Sequence, residues 1–135
     1  MGFLDFLFGD DSSSNNGRDH DRCVFDTDRF RNIGKYKVIT LCGSTKFKEQ
    51  YLEAQKRLTL EGNIVISVGL FGHSGDDEVW TEGTKAMLDD MHKRKIDMAD
   101  EIFVINVGVY IGESTRNEIA YAKSQGISIR NLEHI

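Results

Sequence analysis

The sequence has no proline, two cysteines, and no apolar run approaching the roughly 20 residues of a membrane-spanning helix. Without proline, glycine, asparagine and aspartate must supply the turns. Two cysteines do not form the disulfide framework of a small secreted protein, so we expect reduced thiols and a cytoplasmic location. The net charge of −5 disfavours nucleic acid as a partner, because that role requires a basic face. The 135 residues suit one globular domain.

The N-terminal segment differs in composition from the rest of the chain. Residues 1–9 are apolar but lack the basic start of a secretory signal, and Phe6 stands where a myristoylation signal needs serine or threonine. Residues 10–21 are mostly serine, asparagine, glycine and aspartate, which is typical of a linker. We therefore predict a flexible segment over residues 1–22 and a single α/β domain over residues 23–135. Residues 23–34 would add a short strand or an arm to that domain.

From residue 37 onward, short apolar runs alternate with segments of helical periodicity. Strands are predicted over residues 37–42, 63–68, 101–107 and 127–131, and helices over residues 44–61, 81–98 and 115–125. The strands are apolar on both faces, which predicts a parallel sheet covered by helices on both sides. We expect a doubly wound, flavodoxin-like or Rossmann-like sheet of four to five strands in the order 2-1-3-4. The inward-facing residues predicted for the last two helices are Ala86, Met87, Met91, Ile96, Ile119 and Ala122.

In sheets of this kind, ligands lie beyond the carboxyl ends of the strands, near the switch in strand order. Gly43, Ser44 and Thr45 join the first strand to the first helix at this place. Gly43 would let a ligand approach the backbone, and the free N–H groups of a helix start would attract an anion such as phosphate. The alternative is that Ser44 or Thr45 is an ordinary N-cap.

A second polar segment, residues 108–118, follows the most apolar strand and opens the last helix. Ser114 and Thr115 are candidate caps, and Glu118 stands three residues after Thr115, which is the capping-box spacing. Alternatively, a Glu118 carboxylate in the first helical turn would face the strand ends and attack an oxocarbenium-like carbon, as in retaining glycosidases. Both interpretations of Glu118 stay open at this point.

For other candidate ligand-binding residues, the sequence pattern is less specific. His73 and Phe71 lie in a glycine-rich loop after the second strand, where we expect ligand contacts, with Phe71 stacking on a base. Trp80 is interpreted as a core-packing or dimer-contact residue in preference to one that stacks on substrate, and Cys42 as a packed thiol. The histidines at positions 20, 73, 92 and 134 lack ligand spacing, so no metal is expected.

Several of these short motifs occur in the order found in a known family. Cys42-Gly43-Ser44 ends the first strand, ADEIFVIN occupies residues 99–106, and Gly112 precedes NEIAYA at residues 117–122 and Gly126. Over residues 37–132 the sequence resembles the nucleoside 2-deoxyribosyltransferase superfamily, which includes the deoxynucleoside 5′-monophosphate N-glycosidases. The resemblance implies a nucleoside or nucleotide ligand, no cofactor, and a homo-oligomer, since relatives often build their sites across subunit contacts.

The resemblance also implies roles for particular residues. Glu118 matches the family's nucleophile, which attacks C1′, releases the base and passes the glycosyl group to water or a second base. The implied substrate-binding residues, some of them on the 5′-phosphate, are Gly43, Ser44, Thr45, Gly112, Ser114 and Thr115.

One position departs from the family pattern. The family often has an aspartate in the helix before the third strand, where this sequence has His92. Asp89 or Asp90 would take that place if the helix register shifted. His92 would instead donate a proton to the leaving base, since histidine titrates near neutral pH.

Two further classes of function remain open from the sequence. One is a catalytically silent nucleotide-binding or sensing module that uses the same pocket. The other is a scaffold that binds no small molecule.

Overall fold

The parallel sheet is the framework of the domain. A computed structural model describes residues 34–134; the predicted N-terminal segment and residues 23–33 of the predicted arm lie outside the described residues. The strands are β1 (Val38–Gly43), β2 (Ile64–Ile66), β3 (Glu101–Ile105) and β4 (Ser128–Asn131), and the helices are α1 (Lys48–Leu60), α2 (Thr84–Asp97) and α3 (Glu113–Ser124). Short 3-10 turns occupy Gly72–Ser74, Asp77–Trp80 and Val107–Val109. All strand pairs are parallel, and the order β2-β1-β3-β4 confirms the predicted 2-1-3-4 arrangement.

Alternate residues of β1 and β3 face opposite layers of helices. On one side, residues of both strands pack against α1: Ile39, Leu41, Phe103 and Ile105 against Tyr51, Ala54 and Leu58. On the other side, residues of the same strands pack against α2 and α3: Cys42, Ile102 and Val104 against Ile96 and Ala122. The domain is therefore doubly wound, with helices on both faces as predicted. No helix among residues 34–134 is long and apolar enough to cross a membrane.

The inward face predicted for α2 is correct at Ile96 but wrong at Ala86, Met87 and Met91. Met87 and Met91 are exposed, whereas His92 and Ile96 are buried. Leu88 is half-buried and lies one turn before His92, so the inward stripe runs through a histidine. Counting apolar residues misplaces the face because His92 occupies a buried position on it. The faces predicted for α3 are confirmed, since Ala122 is buried and Ile119 packs against the same cluster.

Gly43 permits the close approach of the two central strands. It pairs with Ile105 in the sheet register, and its φ is 147°. A Cβ at this position would lie 2.9 Å from the Ile105 carbonyl oxygen. The glycine predicted to admit a ligand is thus required first by strand packing.

We expect Gly43→Ala to destabilise the fold by about 1–3 kcal/mol, because the new Cβ meets backbone atoms that cannot move aside. Urea denaturation measures the change. Gly62→Ala is the matched control, since Gly62 also has a positive φ (98°) but has no atom within 4 Å of an added Cβ. Equal losses for the two variants would show that backbone strain alone, and not the contact with Ile105, limits position 43.

Candidate functional site

A cavity of about 270 Å³ lies at the carboxyl ends of β1 and β3. Its lining comes from the loops after the strands, from one face of α2 and from the start of α3. Every site residue predicted from the sequence lines it except Phe71: Gly43, Ser44, Thr45, His73, His92, Gly112, Ser114, Thr115 and Glu118. The predicted location at the switch in strand order therefore coincides with the cavity.

Phe71 is placed in the core and not at the cavity. Its ring is buried and packs edge-on against Tyr51, with ring centroids 5.3 Å apart. The predicted stacking of Phe71 on a base is therefore incorrect. Trp80 and Tyr110 are the aromatic residues that line the cavity, and each keeps close to half of its surface exposed.

Trp80 was interpreted from the sequence as a packing residue, and the structure gives it an additional place at the cavity wall. Its indole Nε1 donates to the Gly72 carbonyl at 3.1 Å, and its ring lies 5.0 Å from the His73 ring, edge to face. These contacts fix a half-exposed aromatic surface beside the cavity. No sequence pattern marks this role, because a lone tryptophan near a helix start has no periodicity.

The α2 face contributes two lysines, Lys85 and Lys95, that the sequence did not assign to the site. Lys85, Asp89 and His92 lie one helical turn apart and all line the cavity with Lys95. Lys85 Nζ pairs with Asp89 at 3.0 Å, and Lys95 Nζ donates to the Ser67 carbonyl at 2.8 Å. The i, i+4 spacing of Lys85 and Asp89 was the available signal.

The loop after β1 does not open a helix directly. Helix α1 begins at Lys48 with Phe47 as its N-cap, so Ser44 and Thr45 are not caps. Thr45 Oγ1 instead accepts the His73 backbone N–H at 3.1 Å and lies 3.0 Å from His73 Nδ1, while its carbonyl accepts the Ser74 hydroxyl at 2.8 Å. The two loops that border this side of the cavity are thereby joined.

The start of α3 also differs from the prediction. The helix begins at Glu113 after the N-cap Gly112, so Ser114 and Thr115 lie within its first turn. Thr115 is buried, and Glu118 stands in the second turn. The capping-box interpretation of Glu118 is therefore wrong, because a capping box requires Thr115 to be the N-cap.

Glu118 lies at the cavity with an incompletely satisfied carboxyl group. Its side chain keeps 22% of its surface exposed, whereas Oε1 is buried and has no hydrogen-bond partner among the described residues. The nearest cationic candidate is His92, whose Nε2 lies 3.7 Å from Oε1, too far for a hydrogen bond. A buried carboxyl oxygen without a partner is costly and uncommon in native structures.

Burial shifts the pKa values of Glu118 and His92 in opposite directions. It raises the pKa of Glu118 to about 7, with a further contribution from the Asp89 carboxylate. It lowers the pKa of His92 to about 4, and the nearby Lys95 adds to this effect. His92 is therefore neutral at pH 7, and its contact with Glu118 is not an ion pair. A neutral imidazole does not match the predicted proton donor to the leaving base.

Cys42 lies behind these two residues. Its Sγ is 3.4 Å from His92 Nε2, and the side chain is fully buried. Burial, followed by the Glu118 carboxylate, raises the pKa of the thiol well above its usual value. Cys42 is thus a neutral packed thiol in the absence of a ligand, consistent with its interpretation from the sequence.

Comparison with protein-family models finds no match, and comparison with curated proteins finds no significant match.

Proposed function

We propose that the protein cleaves or transfers the N-glycosidic bond of a nucleoside, a deoxynucleoside or a 5′-monophosphate of either, with Glu118 as the nucleophile. One observation carries the proposal: Glu118 lines the cavity beside Gly43 and holds a buried carboxyl oxygen for which residues 34–134 provide no hydrogen-bond partner. Leaving such an oxygen unpaired costs about 1–3 kcal/mol. An acceptor kept free at that cost is suited to bond formation with an electron-poor carbon.

The proposed reaction is a double displacement. The ionised Glu118 carboxylate attacks C1′, the C1′–N bond breaks, and the base leaves with the bonding electron pair and takes up a proton from water. Water or a second base then attacks C1′ of the glycosyl ester and restores the Glu118 carboxylate. Both steps use the same side chain and need no further oxidant or reductant.

The cavity walls support a nucleoside-sized ligand. Trp80 and Tyr110 offer half-exposed aromatic faces for a base, and base–aromatic stacking is worth roughly 1–3 kcal/mol. Asp89 shares the cavity with Glu118 and offers a carboxylate for sugar hydroxyls. Within this proposal, Asp89, one turn from His92, serves in place of the aspartate that the resemblance expects.

The hydroxyl-bearing residues at the cavity are not equally free to bind a 5′-phosphate. Ser44 and Ser114 line the cavity, and Ser114 lies in the first turn of α3, where free backbone N–H groups attract anions. The Thr45 hydroxyl is already engaged by His73. Within this proposal, the phosphate of a monophosphate substrate therefore contacts the Ser114 side rather than Thr45.

The direct test is to incubate the protein with a panel of ribonucleosides, deoxynucleosides and their monophosphates and to detect free base by chromatography. Adding a second base in excess separates transfer from hydrolysis, because transfer yields a new nucleoside. Base release from at least one compound is the expected result. Saturable binding without release would replace the enzyme with the sensing module, and an unchanged melting temperature across the whole panel would exclude a nucleotide ligand.

A cytoplasmic location and assembly into a homo-oligomer, both expected from the sequence, remain predictions.

A further inference from the structure

Three potential metal ligands converge at the floor of the cavity from three separate elements. Cys42 belongs to β1, His92 to α2 and Glu118 to α3. His92 Nε2 lies 3.4 Å from Cys42 Sγ and 3.7 Å from Glu118 Oε1. One ligand atom from each of the three residues lies within 4.8 Å of the others.

We infer that Cys42, His92 and Glu118 form a binding site for a thiophilic divalent cation such as Zn²⁺. Tetrahedral zinc with ordinary bond lengths separates its sulfur, nitrogen and oxygen ligands by roughly 3.3–3.7 Å. The two separations that involve His92 lie within a few tenths of an ångström of that range, and the ligand atoms of Cys42 and Glu118 lie within 4.8 Å of each other. Small rotations of the side chains would therefore complete the three-ligand arrangement.

The chemistry of the ligands matches the charge of such an ion. On binding, the Cys42 thiol releases its proton to water, as thiol ligands do. The resulting thiolate and the Glu118 carboxylate neutralise the two positive charges, while His92 contributes an uncharged nitrogen. Glu118 Oε1, which has no hydrogen-bond partner among residues 34–134, would gain a ligand bond.

The position of the three residues leaves room for a fourth ligand. His92 and Glu118 line the cavity, whereas Cys42 is fully buried beyond them. An ion would enter through the cavity and keep an open coordination position on that side, as three-ligand zinc sites do. The thiolate and imidazole select Zn²⁺ or Co²⁺ over Mg²⁺, which requires octahedral oxygen ligands.

An ion at this site would occupy the Glu118 oxygen that attacks C1′, and zinc would therefore inhibit base release. This consequence rests on the proposed function, whereas the binding of the ion does not. The scattered histidine spacing predicts no metal site; of the three histidines among residues 34–134, His92 alone belongs to this cluster, and its partners are a cysteine and a glutamate.

The test is a Co²⁺ titration of the metal-free full chain, followed by absorption spectroscopy without any nucleoside present. A thiolate-to-cobalt charge-transfer band and tetrahedral d–d bands should appear at one equivalent and disappear when Zn²⁺ is added. Mg²⁺ should not displace cobalt. Absence of the charge-transfer band at stoichiometric cobalt would overturn the inference, whatever the nucleoside panel shows.

Variants assign the band to the proposed ligands. Cys42→Ser should abolish the charge-transfer band, and Glu118→Gln should weaken cobalt affinity at least about tenfold. Cys23→Ser is the matched control, because it removes the chain's other cysteine and should leave the band intact. If Cys42→Ser fails to fold by circular dichroism, His92→Gln replaces it with a loss of affinity as the readout. A band that follows Cys23 instead of these three residues would contradict the site.

Discussion

Replacing Glu118 by glutamine is expected to lower base release at least about 1000-fold, because an amide cannot attack C1′. The glutamine side chain has the same shape, so the fold should be retained in circular dichroism and thermal unfolding. Chromatography of free base with any substrate identified in the nucleoside panel measures the loss.

Glu113→Gln is the matched control for this substitution. Glu113 also lies on α3 and lines the cavity, but its side chain is exposed and stands at the helix start. Its replacement should change the rate by no more than a few-fold. A Glu118→Gln protein that retains turnover would remove Glu118 as the nucleophile.

The same assignment predicts the pH dependence of the reaction. With the pKa of Glu118 raised to about 7, the nucleophile becomes ionised as the pH passes through neutrality. We therefore expect kcat/KM to rise with an apparent pKa near 7 and then level off. His92, with its pKa near 4, contributes no limb between pH 5 and 9. A flat profile over this range would show that ionisation of Glu118 does not control the step.

The free energy of unfolding provides the second large expected effect. Because the folded state raises the pKa of Glu118 from 4.5 to about 7, its stabilising contribution is complete below pH 4.5 and is lost as the pH rises through 7. The difference between these pKa values corresponds to about 3 kcal/mol. Glu118→Gln should therefore gain stability relative to the natural protein as the pH rises from about 5 to 8, by up to roughly 2–3 kcal/mol.

His92→Gln provides a control of opposite sign. The folded state lowers the pKa of His92 from 6.5 to about 4, so stability is lost as the pH falls between these values. The His92 variant should therefore gain stability relative to the natural protein on the acid side. Urea denaturation at a series of pH values measures both differences. Differences that do not vary with pH would show that neither group titrates differently in the folded and unfolded states.

The sheet could be predicted from the sequence because its strands are short apolar runs that alternate with helical segments. The residues at which the helices begin could not be predicted in the same way. Ser44 and Ser114 each had the residue type of an N-cap, yet Phe47 and Gly112 hold those positions. Cap preference is a local signal, and the path of a loop around a cavity depends on contacts such as those between Thr45 and His73.

The location of the site could be predicted from the sheet topology, but the contacts among its buried residues could not. Parallel strands bring their carboxyl ends together, which placed Gly43 and Glu118 at one edge. The contact between Cys42 and His92 joins residues 50 positions apart, and no spacing rule connects them. Phe71 had the residue type for stacking, but the core required its ring against Tyr51.

The bonds of Thr45 have a consequence for ligand affinity. A phosphate oxygen only accepts, so it competes for the Thr45 O–H with His73 Nδ1, which lies 3.0 Å from that hydroxyl, while the His73 backbone N–H holds the same oxygen as an acceptor. Such an exchange gains only the difference between two hydrogen bonds, each worth about 1 kcal/mol net. Thr45 therefore mainly joins the two loops. The affinity for a ligand depends instead on polar groups whose hydrogen-bonding capacity is not used before the ligand binds.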